Sequence, residues 1–426
     1  MQRLTPRRFR PMDRIRLQAA RFLFATITVC SLNDGLFTAA RGSDSYTGDD
    51  GTGRTNTGRS YEGDAATRSP VSSGLKKLKG AEYRSEAART SKKTGFDTEE
   101  PEQTLWSKYN VAGRKAMADA DYKRASMLFQ LALIEAQKTG KDDLNLAATL
   151  NNIAELERLT GKYSDAEKAY KRSLSIKEKL LGSDNITVSK TLGNMAVLYA
   201  LQANYPEAEK LYKKSIAIKE KLLDKDDPSI ASGYNNLAAL YDREGRFAEA
   251  EALYFRCLKV REKVLGENNE DVAVTLGNLG NLYFHEKRYE EAEKYFKKAL
   301  AIDQKVLGKD HPTTVGISAS LAKINMARGN FDQVEAALKK ALSVHQSVFG
   351  FEHPAVADDL TSLGNYYEQK KQFQEAEHYY KRAMTVRKTT LGAEHPDTIA
   401  AVRAYNSILK SLGRTKETAN TNGASH

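Results

Sequence analysis

Residues 271–312 read DVAVTLGNLGNLYFHEKRYEEAEKYFKKALAIDQKVLGKDHP, and near-copies of this stretch follow one another along the chain. The step between copies is 42 residues. Aromatic residues mark the step without drift in register: Tyr163, Tyr205, Phe247, Tyr289, Phe331 and Phe373. A period of this length is typical of solenoids, so the sequence predicts a repeat array.

Each copy contains two apolar stripes with helical spacing. One runs from Leu276 to Tyr283 and the other from Tyr289 to Leu300, at intervals of three and four residues. Gly308 ends the second helix, and Pro312 suits the first turn of the next. Each copy is therefore predicted to be an antiparallel helix pair, in which small residues such as Gly280 and Ala292 allow close approach.

The array is predicted to occupy residues 105–414, as seven repeats plus a capping helix at about 399–412. The remaining residues differ in composition. Residues 41–104 are rich in Gly, Ser, Thr and charge, which predicts a disordered linker, and 415–426 form a short tail predicted to be disordered.

The first 40 residues predict a targeting segment. Seven arginines within residues 1–21 precede the apolar stretch FLFATITVCSL at 22–32, and Thr38-Ala39-Ala40 follows. This order is typical of a secretory signal peptide and predicts export. A mitochondrial transit peptide, a single membrane anchor, or a cytoplasmic protein with no cleaved segment are the alternatives.

Composition excludes several classes of protein. The chain has 426 residues, a formal charge of +11 and two cysteines, Cys30 and Cys257. Two cysteines rule out a disulfide framework, and neither has zinc-type spacing. Cys257 stands where other repeats have Ser or Ala, which predicts a buried packing role. No run of eighteen apolar residues exists, so a multi-pass membrane protein is ruled out.

The helix pair resembles the tetratricopeptide repeat, whose usual period is about 34 residues. The eight additional residues here would lengthen the second helix by roughly two turns. This longer form, as in YNNLAALYDREGRFAEAEALYFRCLKVREKVLG at 234–266, is similar to the repeats of kinesin light chains. Residues 41–104 contain no sustained heptads, so the coiled coil through which kinesin light chains bind their motor is missing here. The resemblance implies an all-α, right-handed superhelical α-solenoid, but not a true kinesin light chain.

Candidate binding residues lie on the side of the first helices opposite the apolar stripe. Asparagines recur there every 42 residues, and an asparagine can both donate to and accept from the backbone of an extended peptide. In the kinesin light chain family, matching asparagines line the cargo-peptide groove. The alternative is that these amides bond to neighbouring helices and touch no ligand. The predicted peptide-binding set is Asn152, Arg158, Lys190, Asn194, Asn236, Arg243, Asn278, Asn281, His285 and Lys323.

The charge along this predicted groove does not indicate which kind of ligand binds there. Its four cations are opposed by four carboxylates, so neither an acidic nor a basic segment is favoured. A basic cluster within residues 76–93 contains two glutamates and one tyrosine, which favours a solvated linker over a nucleic-acid site.

Catalytic and metal sites are not indicated. No nucleophile, paired-carboxylate or nucleotide-binding motif lies on suitable structure. His311, His353 and His395 fall one per repeat before prolines, so they are predicted to be turn residues and not metal ligands. We therefore expect a non-catalytic protein-interaction scaffold that binds a protein or peptide in its concave groove. It should need no cofactor, small-molecule substrate or nucleic acid, and should meet a membrane only through an N-terminal anchor. The alternative is an accessory subunit that binds an assembly through its convex or lateral surface.

Overall fold

The computed structural model describes residues 104–118 and 121–414. The predicted targeting segment, nearly all of the predicted linker and the tail lie outside these residues. The described part contains fifteen α-helices and no strand. The helices are α1 (Leu105–Ala118), α2 (Tyr122–Gln137), α3 (Leu144–Leu159), α4 (Tyr163–Leu181), α5 (Ile186–Leu201), α6 (Tyr205–Leu222), α7 (Pro228–Arg243), α8 (Phe247–Leu265), α9 (Glu270–His285), α10 (Tyr289–Val306), α11 (Pro312–Ala327), α12 (Val334–Phe349), α13 (Pro354–Gln369), α14 (Phe373–Leu391) and α15 (Pro396–Ser411).

Consecutive helices pack as pairs, from α1–α2 for the first repeat to α13–α14 for the seventh, and α15 packs on α14. Each pair also packs on the next, so the predicted all-α solenoid is confirmed. The second helices of most repeats have 18 or 19 residues against 16 in most first helices, as α9 and α10 show. The additional residues of the 42-residue unit therefore lengthen the second helix, as predicted.

Local chemistry sets the helix ends. The side chain of Asp227 accepts a hydrogen bond from the Ser229 N–H at the start of α7, where Pro228 is the first helical residue. Proline is favoured there because its missing N–H would have had no partner inside the helix. His311, His353 and His395 cap α11, α13 and α15 through Nδ1 in the same way. This confirms that these histidines are turn residues.

Glycine permits the close approach of the paired helices. A Cβ atom added to Gly280 of α9 would lie 2.7 Å from the ring of Phe296 in α10. A side chain at this position would force the Phe296 ring to shift. Cys257 is fully buried in α8, which confirms its predicted packing role.

Two sets of side chains, placed at steps of 42 residues, join most repeats to the next. In the first set a tyrosine hydroxyl of one repeat donates to a glutamate on the preceding second helix, as Tyr241 does to Glu209 at 2.8 Å. The other pairs are Tyr199–Glu167, Tyr283–Glu251 and Tyr367–Glu335. In the second set a polar residue near the end of a second helix reaches the next first helix. Arg261 of α8 is an example, because it donates to the Asp271 carbonyl and to Thr275, each at 2.8 Å.

The sixth repeat departs from this pattern. Its second helix, α12, begins at Val334, whereas the other repeats begin theirs at the aromatic residue that corresponds to Phe331. Val334 occupies the position of a small alanine such as Ala292, and Gln333 before it adopts a left-handed conformation with φ 58°. The larger side chain at this contact coincides with the loss of the first helical turn.

The C-terminal end of the array also contacts earlier repeats. Nε2 of His395, just before α15, lies 2.9 Å from the Leu201 carbonyl oxygen at the end of α5, although 194 residues separate them along the chain. Asp397 in the first turn of α15 lies 3.8 Å from Arg243 at the end of α7. The seventh repeat and the capping helix therefore contact the ends of first helices in the third and fourth repeats.

Candidate functional site

The predicted binding residues lie on neighbouring first helices of the second to sixth repeats. We call Asn152, Asn194, Asn236 and Asn278 the amide stripe, because each occupies the same position in α3, α5, α7 and α9 respectively. The parallel packing of the first helices brings these positions into one row. The 42-residue step therefore corresponds to one such position on each of these helices.

Both ends of the amide stripe bond to neighbouring helices. The side-chain amide of Asn152 donates to Asn110 of α1 at 2.8 Å, and that of Asn278 donates to Asn235 of α7 at 2.9 Å. Asn278 is only 1% exposed. These two amides thus stabilise the stacking of first helices, which was the alternative reading of the asparagines.

The middle of the stripe differs. Asn194 and Asn236 are both partly exposed. Among the described residues, the Asn194 side chain makes no hydrogen bond, and Oδ1 of Asn236 is buried without a partner in the protein. A buried carbonyl oxygen without a partner costs free energy. An incoming N–H donor would supply the missing bond.

Arg158 is engaged within its own helix. Its guanidinium lies 2.6 Å from Glu155, and Tyr170 donates to the second oxygen of the same carboxylate at 2.7 Å. Burial raises the pKa of Glu155, but the charge of Arg158 and the two hydrogen bonds outweigh burial, so the pKa lies below its usual range. The carboxylate therefore stays ionised and balances Arg158, which weakens this side chain as an anion-binding group.

The other charged candidates also have neighbours. His285 bonds to Asp242 at 2.9 Å, and Arg243 donates to the Tyr205 hydroxyl at 3.2 Å besides facing Asp397. The ammonium of Lys323, which is buried, lies 5.8 Å from the centre of the Phe284 ring. Asn281 is buried as well, whereas Lys190 is exposed. Two of the cations, Arg158 and Arg243, thus face a carboxylate.

The family profile for the tetratricopeptide repeat matches residues 105–179, 187–263, 229–305, 271–323 and 314–389. Together these matches cover more than half of the chain. The chain belongs to the tetratricopeptide repeat family. Its repeats follow one another at a step of 42 residues.

Solved structures with the same fold include two Rap proteins. The apo form of RapI is 17% identical and has a TM-score of 0.53, covering 67% of this chain and 98% of that one. A Rap protein complexed with Competence and Sporulation Factor is 16% identical with a TM-score of 0.52, covering 78% and 92%. A putative kinesin light chain of Podosopora anserina is 21% identical with a TM-score of 0.41, covering 47% and 95%. A search of curated proteins finds no match.

Residues 104–118 and 121–414 hold no group of three His, Cys, Asp or Glu side chains placed to bind a metal ion. None of their helices is both long and apolar enough to cross a bilayer.

Two features of the site were missed by the sequence reasoning. Asn110 lies 42 residues before Asn152, so the same step would have extended the amide row into the first repeat. The contacts of Asp397 and His395 with the third and fourth repeats have no counterpart in the periodicity. Nothing in the sequence pattern predicts that α15 lies beside Arg243.

Proposed function

We propose that this protein is a non-catalytic interaction protein that captures an extended segment of a partner along the amide stripe. Membership of the tetratricopeptide repeat family supports protein binding in general. The observation that carries the finer proposal is the difference along the stripe. The side chains of the two outer residues donate to neighbouring helices, and Oδ1 of Asn278 is buried without a partner. In the middle of the stripe, the Asn194 side chain makes no hydrogen bond among the described residues, and Asn236 has a partly exposed side chain whose Oδ1 has no partner.

The chemistry of these two amides suits a backbone ligand. A side-chain amide can accept from a peptide N–H and donate to a peptide C=O. Two such groups on adjacent helices would hold an extended chain without selecting its side chains. With the cations of the groove balanced by carboxylates, we propose that shape and backbone hydrogen bonds, more than net charge, decide binding.

A double substitution tests this proposal. A peptide selected from a random library against the purified protein would be titrated into Asn194→Ala/Asn236→Ala. We expect at least a tenfold rise in Kd, because each variant amide loses hydrogen bonds to the peptide. The melting temperature should not fall, since neither side chain bonds to the rest of the array. The matched control is Asn278→Ala, which breaks the bond to Asn235 and should lower the melting temperature. A double variant that binds normally, or that unfolds as the control does, would contradict the proposal.

A second candidate function rests on an apolar row at the ends of the second helices. Leu180, Leu222, Val264 and Val306 are spaced by 42 residues and are each 46–47% exposed. Such a row suits the alternative of an accessory subunit that binds an assembly through its lateral surface. Leu222→Gln/Val264→Gln would abolish assembly in sedimentation experiments in that case, as would charge reversals on the second helices. The amide-stripe variant would leave assembly intact.

We further propose that residues 1–40 direct export and that the mature protein begins after them. The basic start, the apolar stretch and the small residues that follow support this. N-terminal sequencing of the protein from its native cell tests the proposal. A mature chain that begins at Met1 would contradict it.

A further inference from the structure

The segment Gly392–Asp397, which we call the return turn, connects α14 to α15 and contacts the far side of the array. The ring of His395 makes two hydrogen bonds there. Nδ1 accepts from the Asp397 N–H at 3.2 Å, and Nε2 lies 2.9 Å from the Leu201 carbonyl oxygen. Because a carbonyl can only accept, Nε2 must carry the hydrogen. The neutral ring with its proton on Nε2 satisfies both bonds at once.

This arrangement is particular to the last repeat. His353, 42 residues earlier, caps its own helix in the same way through the Ala355 N–H at 3.2 Å, and its ring stacks on Phe349. The capping chemistry thus explains Nδ1 in both histidines. It does not explain why Nε2 of His395 is bonded to a residue 194 positions away.

Two further approaches accompany the His395 bond. Asp397 faces Arg243 at 3.8 Å, and its carbonyl accepts from Arg387 at 3.4 Å. A Cβ atom added to Gly161, in the turn between α3 and α4, would lie 3.6 Å from the Thr390 carbonyl oxygen. The return turn and the end of α14 therefore lie against the turns that end the first helices of the second, third and fourth repeats.

The junction is buried although it is built from polar groups. His395 and Asp397 are both buried. Burial lowers the pKa of His395, and burial raises the pKa of Asp397 to about 7 against the opposing effect of Arg243 and Arg387. These directions agree with a dry contact between the two edges. The contacts across the junction include the His395–Leu201 hydrogen bond, the Asp397–Arg243 pair and the approach of Thr390 to Gly161.

The position of Arg243 connects the junction to the amide stripe. Arg243 and Asn236 lie on α7, two helical turns apart on the same side. The return turn that faces Arg243 therefore lies at the C-terminal end of α7, two helical turns from Asn236 in the middle of the stripe.

We propose that the return turn is a latch that closes the groove at Arg243 and opens when His395 leaves Leu201 and Asp397 leaves Arg243. In the closed state the array forms one continuous turn held at its two edges. In the open state the third and fourth repeats separate from α15, and the amide stripe becomes accessible along its length. The latch is a property of the array itself, so its test needs no ligand.

Spin labels across the junction test closure. Asn204 and Glu394 are exposed and lie within three residues of Leu201 and His395 respectively. Both would be changed to Cys in the full chain carrying Cys30→Ser and Cys257→Ala, the latter because Ala occupies the corresponding slot in other repeats. Double electron–electron resonance should show one short distance. A broad or long distribution in this parent would overturn the proposal.

His395→Asn tests the latch contact. Asparagine retains the helix cap but is too short to reach Leu201. We expect a second, longer distance population, which increases further with Arg243→Gln. The matched control is His311→Asn, where the same change at the cap of α11 should leave the short distance intact. An unchanged distribution in His395→Asn/Arg243→Gln would refute the latch.

Reaction rates at the stripe test whether the latch controls access. A cysteine at Asn236 would be treated with a polymer-coupled maleimide and, separately, with a small maleimide. Opening by His395→Asn/Arg243→Gln should accelerate the polymer reaction at least fivefold and leave the small reagent's rate nearly unchanged. Equal polymer rates with the latch intact and broken would show that the junction does not gate the groove. Circular dichroism of each variant would identify any loss of folding.

Discussion

The fifth and sixth repeats differ at equivalent positions, and the difference shows which parts of the unit maintain the array. The fifth repeat receives Arg261 from the preceding second helix and closes Gly280 tightly on Phe296. The sixth receives Asp303 at the position equivalent to Arg261, and its second helix starts late at Val334. The position that links one repeat to the next accepts either Arg261 or Asp303, but the two side chains affect the stability of the array differently.

The chemistry of the two links explains the contrast. Arg261 has N–H donors that match the carbonyl of Asp271 and the hydroxyl of Thr275 on α9. Asp303 is 3% exposed, and burial raises its pKa to about 7, with a hydrogen bond from Thr313 as a smaller opposing effect. The arginine link therefore consists of hydrogen bonds that Arg261 donates to the next helix. The carboxyl is most stable there when it is protonated.

The largest expected effect is that of Asp303→Asn. The pKa of this carboxyl is higher in the folded protein than in the unfolded chain, where the usual value is 3.8. The folded state therefore gains from protonation at low pH, and this stability is lost as pH rises from about 4 through about 7. Asparagine cannot ionise, so the variant should be more stable than the parent at pH 8 by up to about 4 kcal/mol.

Urea unfolding of the parent and Asp303→Asn at pH 5 and pH 8 measures this effect. The advantage of the variant should be larger at pH 8 than at pH 5. A difference in unfolding free energy that does not change with pH would show that Asp303 is not buried as a neutral acid. It would also remove the contrast between the two repeats.

The next effect is that of Arg261→Leu, which removes both hydrogen bonds to α9. Leucine retains part of the apolar volume but leaves buried acceptors without this donor, and we expect a loss of about 2–3 kcal/mol. Thermal and urea unfolding give the value. Lys259→Ala, at an exposed position on the same helix, is the control and should change stability little. Equal effects of the two changes would mean that the arginine link contributes nothing.

The smallest effect concerns the close contact within the fifth repeat. Gly280→Ala places a methyl group 2.7 Å from the Phe296 ring, and the resulting displacement should cost about 1–2 kcal/mol. Gly193→Ala is the matched control, because its nearest neighbour would be Oγ of Ser215 at 3.4 Å. There the helix propensity of alanine should leave stability unchanged or slightly raised. Melting temperatures that fall equally in both variants would contradict the packing argument.

Much of the fold could be predicted because its determinants are local and repeated. Helix starts follow from capping residues and prolines such as Pro312, and the pairing follows from apolar stripes only a few residues apart. The late start of α12 was harder to predict, although the exception at Val334 was visible in the sequence. Residue 334 is Val where the fifth repeat has Ala292, but how far the backbone would adjust depends on packing around the substituted side chain.

The sequence could predict which residues occupy equivalent positions in the candidate site, but not which of their side chains are hydrogen-bonded to neighbouring helices. The 42-residue step gives the four asparagines equivalent positions in their repeats. It does not distinguish Asn152 and Asn278 from Asn194 and Asn236. Which amides bond to a neighbour depends on whether Asn110 and Asn235 come within hydrogen-bond distance. The packing of whole repeats sets the distances between neighbouring first helices on which these hydrogen bonds depend.

The sequence by itself determined that this chain forms helix pairs, how many there are and which residues share a face, since each choice depends on neighbours within one period. Only the tertiary structure decided that the seventh repeat meets the third and fourth. The 194 residues between Leu201 and His395 are not a whole number of repeats. Their contact results from small rotations that accumulate from each helix pair to the next. The total rotation cannot be read from the sequence of any single repeat.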